Sequence, residues 1–257
     1  MKRDQIGWQA GNGTPCEPEQ PLPASPCRLV LLGPPGVGKG TQGSLLSERF
    51  RSCHLSTGDL FRSAQCEGAS SPAMKQALAA MERGQLVSNE VVIAMIRERS
   101  ACLRCQGGFL LDGFPRTVCQ AEALRGVLED LQVKLDAVIC YELPIEEIVA
   151  RLGGRRVCSS CQAVFHISNR PAAVANVCDS CQGQLVQRDD DQPEAIRVRL
   201  RAYEAETRPL TDFYERADKL LRVEATGTPQ EVFDRTIKQL DRQSCALSTS
   251  EAVSEAT

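Results

Sequence analysis

Glycines and a lysine follow the first apolar run of the chain in a spacing that suits phosphate binding. Residues 33–41 read Gly-Pro-Pro-Gly-Val-Gly-Lys-Gly-Thr, with four residues between the first and third glycines. Glycines let successive N–H groups converge on phosphate oxygens, a helix start adds positive partial charge, and Lys39 can reach the β and γ phosphates. Gly40 stands where Ser or Thr usually follows the lysine, so Thr41 is the next candidate contact. A Gly/Pro-rich turn without a ligand is the alternative, but strand context, spacing and lysine together favour a nucleotide site.

Two C-x₂-C pairs separated by sixteen residues form the second chemical pattern. This spacing is typical of a structural zinc site with four thiolates, which would hold together a small segment that lacks a core of its own. Four unrelated thiols are the alternative. The predicted ligands are Cys158, Cys161, Cys178 and Cys181.

Arginines lie near predicted strand ends and insertions, where they could clamp several phosphates at once. Phosphoryl transfer needs positioning and neutralisation of charge on the transferring group, and planar guanidinium groups do both. For any one arginine, a solvated surface side chain is the alternative. The candidates are Arg116, Arg155, Arg156, Arg188 and Arg199.

Acidic residues near these arginines have two interpretations each. Asp112 either caps the turn that follows its strand or orders water around Mg²⁺, and a phosphate loop in the same chain favours the second role. The run Asp189–Asp191 most simply begins a helix, with an ion pair to an arginine as the alternative.

Short apolar runs alternate with stretches of helical spacing, which predicts an α/β fold. The first run, from Cys27, stops at Gly33; the others are Cys53–Ser56, Phe109–Asp112, Ala137–Leu143 and Leu220–Glu224. Helical spacing follows the possible cap Asn89, and again follows Pro193. Strands alternating with helices predict a doubly wound parallel five-stranded sheet flanked by helices, with ligands beyond the carboxyl ends of the strands.

Composition divides the chain into a core with two insertions and two flanking segments. Residues 1–26 are rich in Gly and Pro without an apolar period, so we expect a flexible extension in which Trp8 need not mark a site. The core is expected over 27–243. Segments 56–87 and 154–191 interrupt the strand rhythm and are predicted to be insertions over the active face. A flexible tail is expected over 244–257.

Charge and hydropathy set the remaining expectations. Thirty Lys and Arg against 33 Asp and Glu give a net charge of −3, which does not favour nucleic acid or an anionic membrane. No apolar run approaches the about 20 residues that span a bilayer. The thirteen cysteines form no disulfide framework and indicate reduced thiols. We expect a monomer in the cytoplasm without nucleic-acid or membrane partners.

Six motifs in order resemble the adenylate kinases from Arg28 to about Phe233. They are the phosphate loop, Leu-Ser-Thr-Gly-Asp-Leu-Phe-Arg at 55–62, Gly-Gln-Leu-Val at 84–87, Phe-Leu-Leu-Asp-Gly-Phe-Pro-Arg-Thr at 109–117, Gly-Arg-Arg-Val at 154–157, and Arg-Asp-Asp-Asp at 188–191. The resemblance implies a transferase that converts ATP and AMP to two ADP. It also implies that 56–87 binds AMP and that 154–191 is a lid closing over ATP.

The resemblance also implies roles for single residues on the AMP side. Thr57 and Arg62 would hold the hydroxyl or phosphate region of AMP, the backbone of Gln85 to Val87 would line the adenine pocket, and Gln120 would read the adenine edge. Arg116 would grip the AMP phosphate. The full implied set is Thr57, Arg62, Gln85, Leu86, Val87, Gly113, Phe114, Pro115, Arg116, Gln120, Arg188 and Arg199.

On the ATP side, one of Arg151 and Arg155 would stack near the adenine and the other would reach the phosphates. Arg188 and Arg199 would bracket the transferring group, and Mg²⁺ would accompany ATP. His166 is expected to contact nucleotide or cap a turn rather than bind zinc. The implied ATP set is Gly36, Val37, Gly38, Lys39, Gly40, Thr41, Arg151, Arg155, Val164 and Phe165, and the implied catalytic set is Lys39, Asp112, Arg116, Arg155, Arg188 and Arg199.

Two other functions fit parts of this pattern. A kinase for another nucleoside monophosphate, or one that uses GTP, would share the loop and the arginines; Thr57 and Gln120 favour AMP. A zinc-ribbon interaction module on a silent nucleotide-binding scaffold would keep the loop without turnover, but Asp112 and the complete arginine set argue against it.

Overall fold

The computed structural model describes residues 8–9, 22–23, 25–67, 71–82 and 87–254. Most of the predicted N-terminal extension and the residues Gln85 and Leu86 therefore lie outside the described residues. The strands are β1 (Cys27–Leu32), β2 (Cys53–Ser56), β3 (Gly108–Asp112), β4 (Ala137–Glu142), β5 (Arg155–Cys158), β6 (Val164–His166), β7 (Leu185–Val186) and β8 (Leu220–Glu224).

Helices join the strands. They are α1 (Lys39–Phe50), α2 (Thr57–Glu67), α3 (Pro72–Glu82), α4 (Asn89–Arg97), α5 (Ser100–Leu103), α6 (Val118–Asp130), α7 (Ile145–Gly153), α8 (Pro193–Ala202), α9 (Pro209–Arg216) and α10 (Pro229–Ser254). A short 3₁₀ helix covers Asp189–Asp191, and a π-helical segment covers Tyr203–Thr207. Across the described ranges, no helix is both long and apolar enough to cross a bilayer.

The central sheet has five parallel strands in the order β2-β3-β1-β4-β8, which confirms the predicted α/β class. Its strands are apolar because helices cover both faces of the sheet. Alternation along β1 divides the core: Val30 and Leu32 join one apolar cluster, while Leu29 and Leu31 join another. All carboxyl ends of the parallel strands meet at one edge, where the loops carrying the motifs emerge.

The two interruptions of the strand rhythm have different architectures. The described part of 56–87 is helical, and its Leu60, Ala64 and Met74 belong to the same apolar cluster as Val30. Within 154–191, the strands β6-β5-β7 form a separate antiparallel sheet with a small apolar cluster. We call the first the helical insertion and the second the lid.

Three local expectations differ from the structure. The cap of α4 is Ser88, whose hydroxyl accepts the N–H of Val91 at 3.4 Å, and Asn89 is the first helical residue. Trp8 is not an unpacked residue of the extension, because its side chain is 2% exposed within the apolar cluster that includes Leu55 and Leu60. The last helix, α10, continues to Ser254, into the segment that composition predicts to be a flexible tail.

Candidate active site

The predicted phosphate loop connects the end of β1 to the start of α1. Gly33 and Gly38 adopt φ angles of 135° and 104°, a backbone region that favours glycine. A Cβ at Gly33 would lie 2.5 Å from the carbonyl oxygen of Tyr141, so a side chain there would clash with β4. The loop therefore presents backbone N–H groups at the positive end of a twelve-residue helix, an arrangement that binds anions.

Lys39 is held over this loop. Its Nζ donates to the carbonyl oxygens of Gly33 at 2.7 Å and Pro34 at 2.9 Å. Burial lowers the pKa of Lys39 to about 8, although the nearby carboxylate of Asp112 opposes that shift. The ammonium group is thus partly desolvated, and a phosphate at the start of α1 would gain a strong charge-assisted contact.

Asp112 ends β3 beside the loop, next to a histidine that sequence reasoning missed. Burial opposes ionisation of Asp112, but His54 and the charges of Lys39 and Arg116 outweigh it and lower the pKa of the carboxyl group. Nε2 of His54 lies 3.5 Å from Oδ2 of Asp112. The signal for His54 was weak: it is one of two histidines and lies two residues before Ser56, at the end of β2.

The elements predicted to hold AMP meet at the ends of β2 and β3. Thr57 is buried, and its hydroxyl donates to the carbonyl oxygen of Asp112 at 3.3 Å. A Cβ at Gly113 would lie 2.6 Å from the Thr57 hydroxyl oxygen, so only glycine allows this approach. Arg62 pairs with Asp59 on the same helix. The structure therefore brings Thr57, Gly113 and Arg62 to one side of the cleft.

Gln120 links the elements of this side. Its Oε1 accepts the N–H of Arg116 at 2.8 Å, and its Nε2 donates to Oδ1 of Asn89, also at 2.8 Å. The Arg116 guanidinium in turn donates from Nε to the carbonyl oxygen of Gly113 at 2.9 Å. Gln120 thus positions Arg116 through its amide group, a role that the sequence did not predict.

Positive charge concentrates between the two sides of the cleft. Arg116 is exposed on the protein surface, but desolvation by the surrounding protein and the charge of Arg199 lower its pKa. Burial and the charges of Arg62 and Arg155 lower the pKa of Arg188 to about 10. Like charges held this close are costly without an anion. The arginines predicted to surround the transferring group are therefore brought together, and the cluster is complementary to several phosphates.

Asp191 holds two of these arginines from the lid side. Its buried carboxylate accepts from Nε and Nη2 of Arg155 at 2.7 and 2.5 Å and from Nη1 of Arg199 at 3.3 Å. Asp190 also pairs with Arg199, at 3.1 Å. The acidic run forms a short 3₁₀ helix and also makes ion pairs, so both interpretations of Asp189–Asp191 are confirmed.

The remaining predicted ATP residues have structural partners. Arg151 donates to the carbonyl oxygens of Val37 at 3.4 Å and Ala225 at 2.9 Å, which places it against the phosphate loop. Val164 is exposed, whereas Phe165 packs within the small lid cluster. The Phe165 ring is therefore a core group of the lid.

The other predicted nucleotide-binding residues differ in how deeply they are buried. Phe114 is buried in the large apolar cluster, and its peptide bond to Pro115 is cis. Gly40 and Thr41 are exposed at the start of α1. Val87 packs against the same cluster as Phe114.

His166 caps a turn. Its Nδ1 accepts the N–H groups of Ser168 and Asn169, both at 3.1 Å. Of the two expected roles for His166, turn capping is therefore confirmed.

The four lid thiols converge. Their Sγ atoms all lie within 4.8 Å of one another, with 3.4 Å between Cys158 and Cys181 and 3.6 Å between Cys161 and Cys178. A tetrahedral zinc site with Zn–S bonds of about 2.3 Å requires S–S separations of about 3.8 Å. The N–H of Cys161 lowers the pKa of the Cys158 thiol, whereas hydrogen bonds with the neighbouring thiols contribute to raising the pKa of Cys161. The donor set therefore fits zinc.

A third C-x₂-C pair, Cys102 and Cys105, lies outside the lid. Sγ of Cys105 is 3.2 Å from Sγ of Cys53. Within the described ranges, only the lid thiols form a group of three or more candidate metal ligands.

Comparison with known proteins identifies the family. A family model described as adenylate kinase matches residues 31–219. An adenylate kinase of Desulforamulus reducens is 50% identical over 187 residues, which cover 73% of this chain and 87% of that protein. Adenylate kinases of Carboxydothermus hydrogenoformans and Streptomyces griseus are 46% and 47% identical over 206 and 214 residues, covering 80% and 83% of this chain and 95% and 97% of theirs.

The chain belongs to the adenylate kinase family.

The part matched by the adenylate kinase model includes the phosphate loop, the helical insertion, the lid and every predicted arginine. Trp8 lies outside the matched residues. The packing of Trp8 is therefore a feature of this chain that the adenylate kinase model does not represent.

Proposed function

We propose that the chain catalyses the reversible transfer of a phosphoryl group, ATP + AMP = 2 ADP. The observation that carries this proposal is the arginine cluster beside the phosphate loop: Asp191 binds both Arg155 and Arg199, and neighbouring positive charge lowers the pKa of Arg116 and of Arg188. A cluster of this kind is best stabilised by the phosphates of two nucleotides placed end to end.

ATP binds as the donor on the phosphate loop. The backbone of Gly36 to Thr41 surrounds its β and γ phosphates, and Lys39 exchanges its bonds to loop carbonyl oxygens for phosphate oxygens. Arg151, fixed against Val37 and Ala225, borders the adenine side. Mg²⁺ would accompany ATP and neutralise part of its charge, and Asp112 would hold the water around that ion.

AMP binds as the acceptor at the carboxyl ends of β2 and β3. Thr57 and Arg62 hold the hydroxyl or phosphate region, and the backbone of Val87 lines the adenine pocket. Gln120 reads the adenine edge by exchanging its bond to Asn89, while Arg116 grips the phosphate.

Transfer then requires only alignment and charge neutralisation. An oxygen of the AMP phosphate forms a bond to the γ phosphorus as the bond from that phosphorus to the β-γ bridging oxygen breaks, which leaves ADP on each side. Arg155, Arg188 and Arg199 neutralise the transferring group. Closure of the lid and the helical insertion excludes water, so that the phosphoryl group reaches AMP rather than water.

In the lid, Cys158, Cys161, Cys178 and Cys181 would hold one structural Zn²⁺. The convergence of their Sγ atoms supports this assignment. The cytoplasmic location, the monomeric state and the absence of nucleic-acid and membrane partners stay predictions.

The test is ADP formation from ATP plus AMP, compared with ATP alone. We expect rapid turnover only when both nucleotides are present, and Lys39→Met should reduce kcat several hundredfold or more, because a charge that stabilises the transition state is lost. A panel of other monophosphates and GTP separates this reaction from the related kinases. Wild-type protein that forms no ADP, or Lys39→Met with full activity, would contradict the proposal.

A further inference from the structure

The side chain of Trp8 is one of the largest fully buried groups in the described chain. It belongs to the apolar cluster that also contains Leu55 of β2 and Leu60 of α2. A buried indole needs a partner for its N–H group, so the position of Trp8 is fixed by a polar contact as well as by packing.

The first polar contact joins Trp8 to the start of the helical insertion. Nε1 of Trp8 donates to the carbonyl oxygen of Ser56 at 3.1 Å. Ser56 is the last residue of β2, the edge strand of the central sheet, and an edge strand leaves backbone groups without a sheet partner. The hydroxyl of Ser56 accepts the N–H of Asp59 at 3.2 Å, in the first turn of α2. The indole therefore fixes Ser56, the residue immediately before the start of α2.

The second polar contact leads to α3. Nε of Arg99 donates to the carbonyl oxygen of Trp8 at 2.5 Å, and Nη1 of this fully buried side chain donates to the carbonyl oxygen of Met95 at 2.9 Å. Arg99 also pairs with Glu98 at 3.4 Å, and Oε1 of Glu98 accepts the N–H of Ala73 at 3.2 Å. Ala73 lies in the first turn of α3.

Trp8 thus connects, through two separate chains of contacts, to the first turns of both helices in the helical insertion. We propose that Trp8 is a positioning residue for the acceptor nucleotide: it fixes the base of the helical insertion and thereby the placement of Thr57 and Arg62. This inference rests on the proposed AMP site. The phosphate loop and Lys39 follow β1, which is an interior strand of the sheet. Among the described residues, the hydrogen bonds of Lys39 go to Gly33 and Pro34 and not to either chain of contacts from Trp8.

Trp8→Phe tests the inference because it keeps an aromatic ring and removes the N–H donor. Loss of one hydrogen bond should raise the KM for AMP about three- to tenfold, while the KM for ATP stays within about twofold. Trp8→Ala should raise the KM for AMP further. The control is Ile237→Ala in α10, which removes packing from the second apolar cluster, and its KM for AMP should be unchanged at a similar loss of Tm.

Trp8 also reports its own position, since it is the sole tryptophan of the chain. Its emission should be that of a buried indole and should resist quenching by iodide in the folded wild-type protein. An exposed emission spectrum would overturn the inference even if Trp8→Ala fails to fold. Equal changes in both KM values in Trp8→Phe, or no change, would also overturn it. Failure of the proposed function is distinguishable, because wild-type protein would then form no ADP.

Discussion

The helical insertion and the lid flank the same phosphate loop, but they are stabilised in different ways. The helical insertion shares the main apolar cluster through Leu60, Ala64 and Met74, whereas the lid has a small cluster of its own around Phe165. A segment with so few apolar side chains cannot offset the entropy of ordering its backbone. The helical insertion therefore packs continuously with the core, and we expect the lid to depend on its four thiols for stability.

Cys178→Ser should have the largest effect, because structural zinc sites supply on the order of 10 kcal/mol of folding free energy in small metal-dependent domains. We expect the variant to lose one bound zinc per chain and to form ADP at least about tenfold more slowly, as Arg155 lies within the lid sheet. Elemental analysis and the coupled assay measure both effects.

The matched control is Cys119→Ser, since Cys119 is exposed on α6 and outside the thiol cluster. It should keep zinc and activity. If wild-type protein contained no zinc and Cys178→Ser melted like wild-type protein, the lid would not depend on a metal for stability. The proposed difference between the lid and the helical insertion would then be contradicted.

Leu60→Ala tests the opposite side of the comparison. Leu60 is fully buried in the main cluster, so its truncation should lower the free energy of unfolding of the whole core by about 2–5 kcal/mol. Denaturant titration should show one cooperative transition at a lower midpoint, with zinc content unchanged. Separate melting of the helical insertion, with the core unaffected, would contradict continuous packing.

Much of this organisation follows from local sequence. The five strands of the central sheet, the phosphate loop and the lid thiols are each encoded by residues close in sequence, through apolar runs, glycine spacing and paired cysteines. The contacts that the sequence did not reveal join distant residues. Trp8 and Ser56 are 48 positions apart, and Trp8 and Arg99 are 91 apart.

The site shows the same division. Residue types identified Arg155, Arg199 and Asp191 as candidates, but their pairing requires the lid to meet α8 in space. Gln120 likewise donates to Asn89, which is 31 positions away on a separate helix. Such partners depend on the folded arrangement, so no local pattern predicts them.

Asp191→Asn should have the third largest effect. Asp191→Asn removes the charge that binds Arg155 and Arg199. The contact between the lid and α8 should weaken by about 1–3 kcal/mol, and the apparent affinity for ATP should fall. Asp190→Asn is the matched control because Asp190 is half exposed and forms its ion pair with Arg199; its effect should stay below about 1 kcal/mol. Equal effects of the two substitutions in thermal melting and ATP titration would contradict the role of the buried carboxylate.

The smallest effect is a pH dependence of ATP binding. Because burial lowers the pKa of Lys39 to about 8, the ammonium group loses its proton as the pH rises through that value. ATP affinity should therefore fall by up to about tenfold between pH 7 and pH 9, and the bound phosphates should reduce this change by favouring the charged form. Lys39→Arg, which stays charged throughout this range, should bind ATP with little pH dependence. An unchanged profile in wild-type protein would contradict the shifted pKa.

Nucleotide stoichiometry tests the central claim most directly. Calorimetric titration without divalent cations, which stops turnover, should show two nucleotides bound per chain at saturation. One molecule of a tethered analogue, two adenosines joined by a polyphosphate chain, should displace both. Saturation at one nucleotide, with no competition from the tethered analogue, would contradict the account.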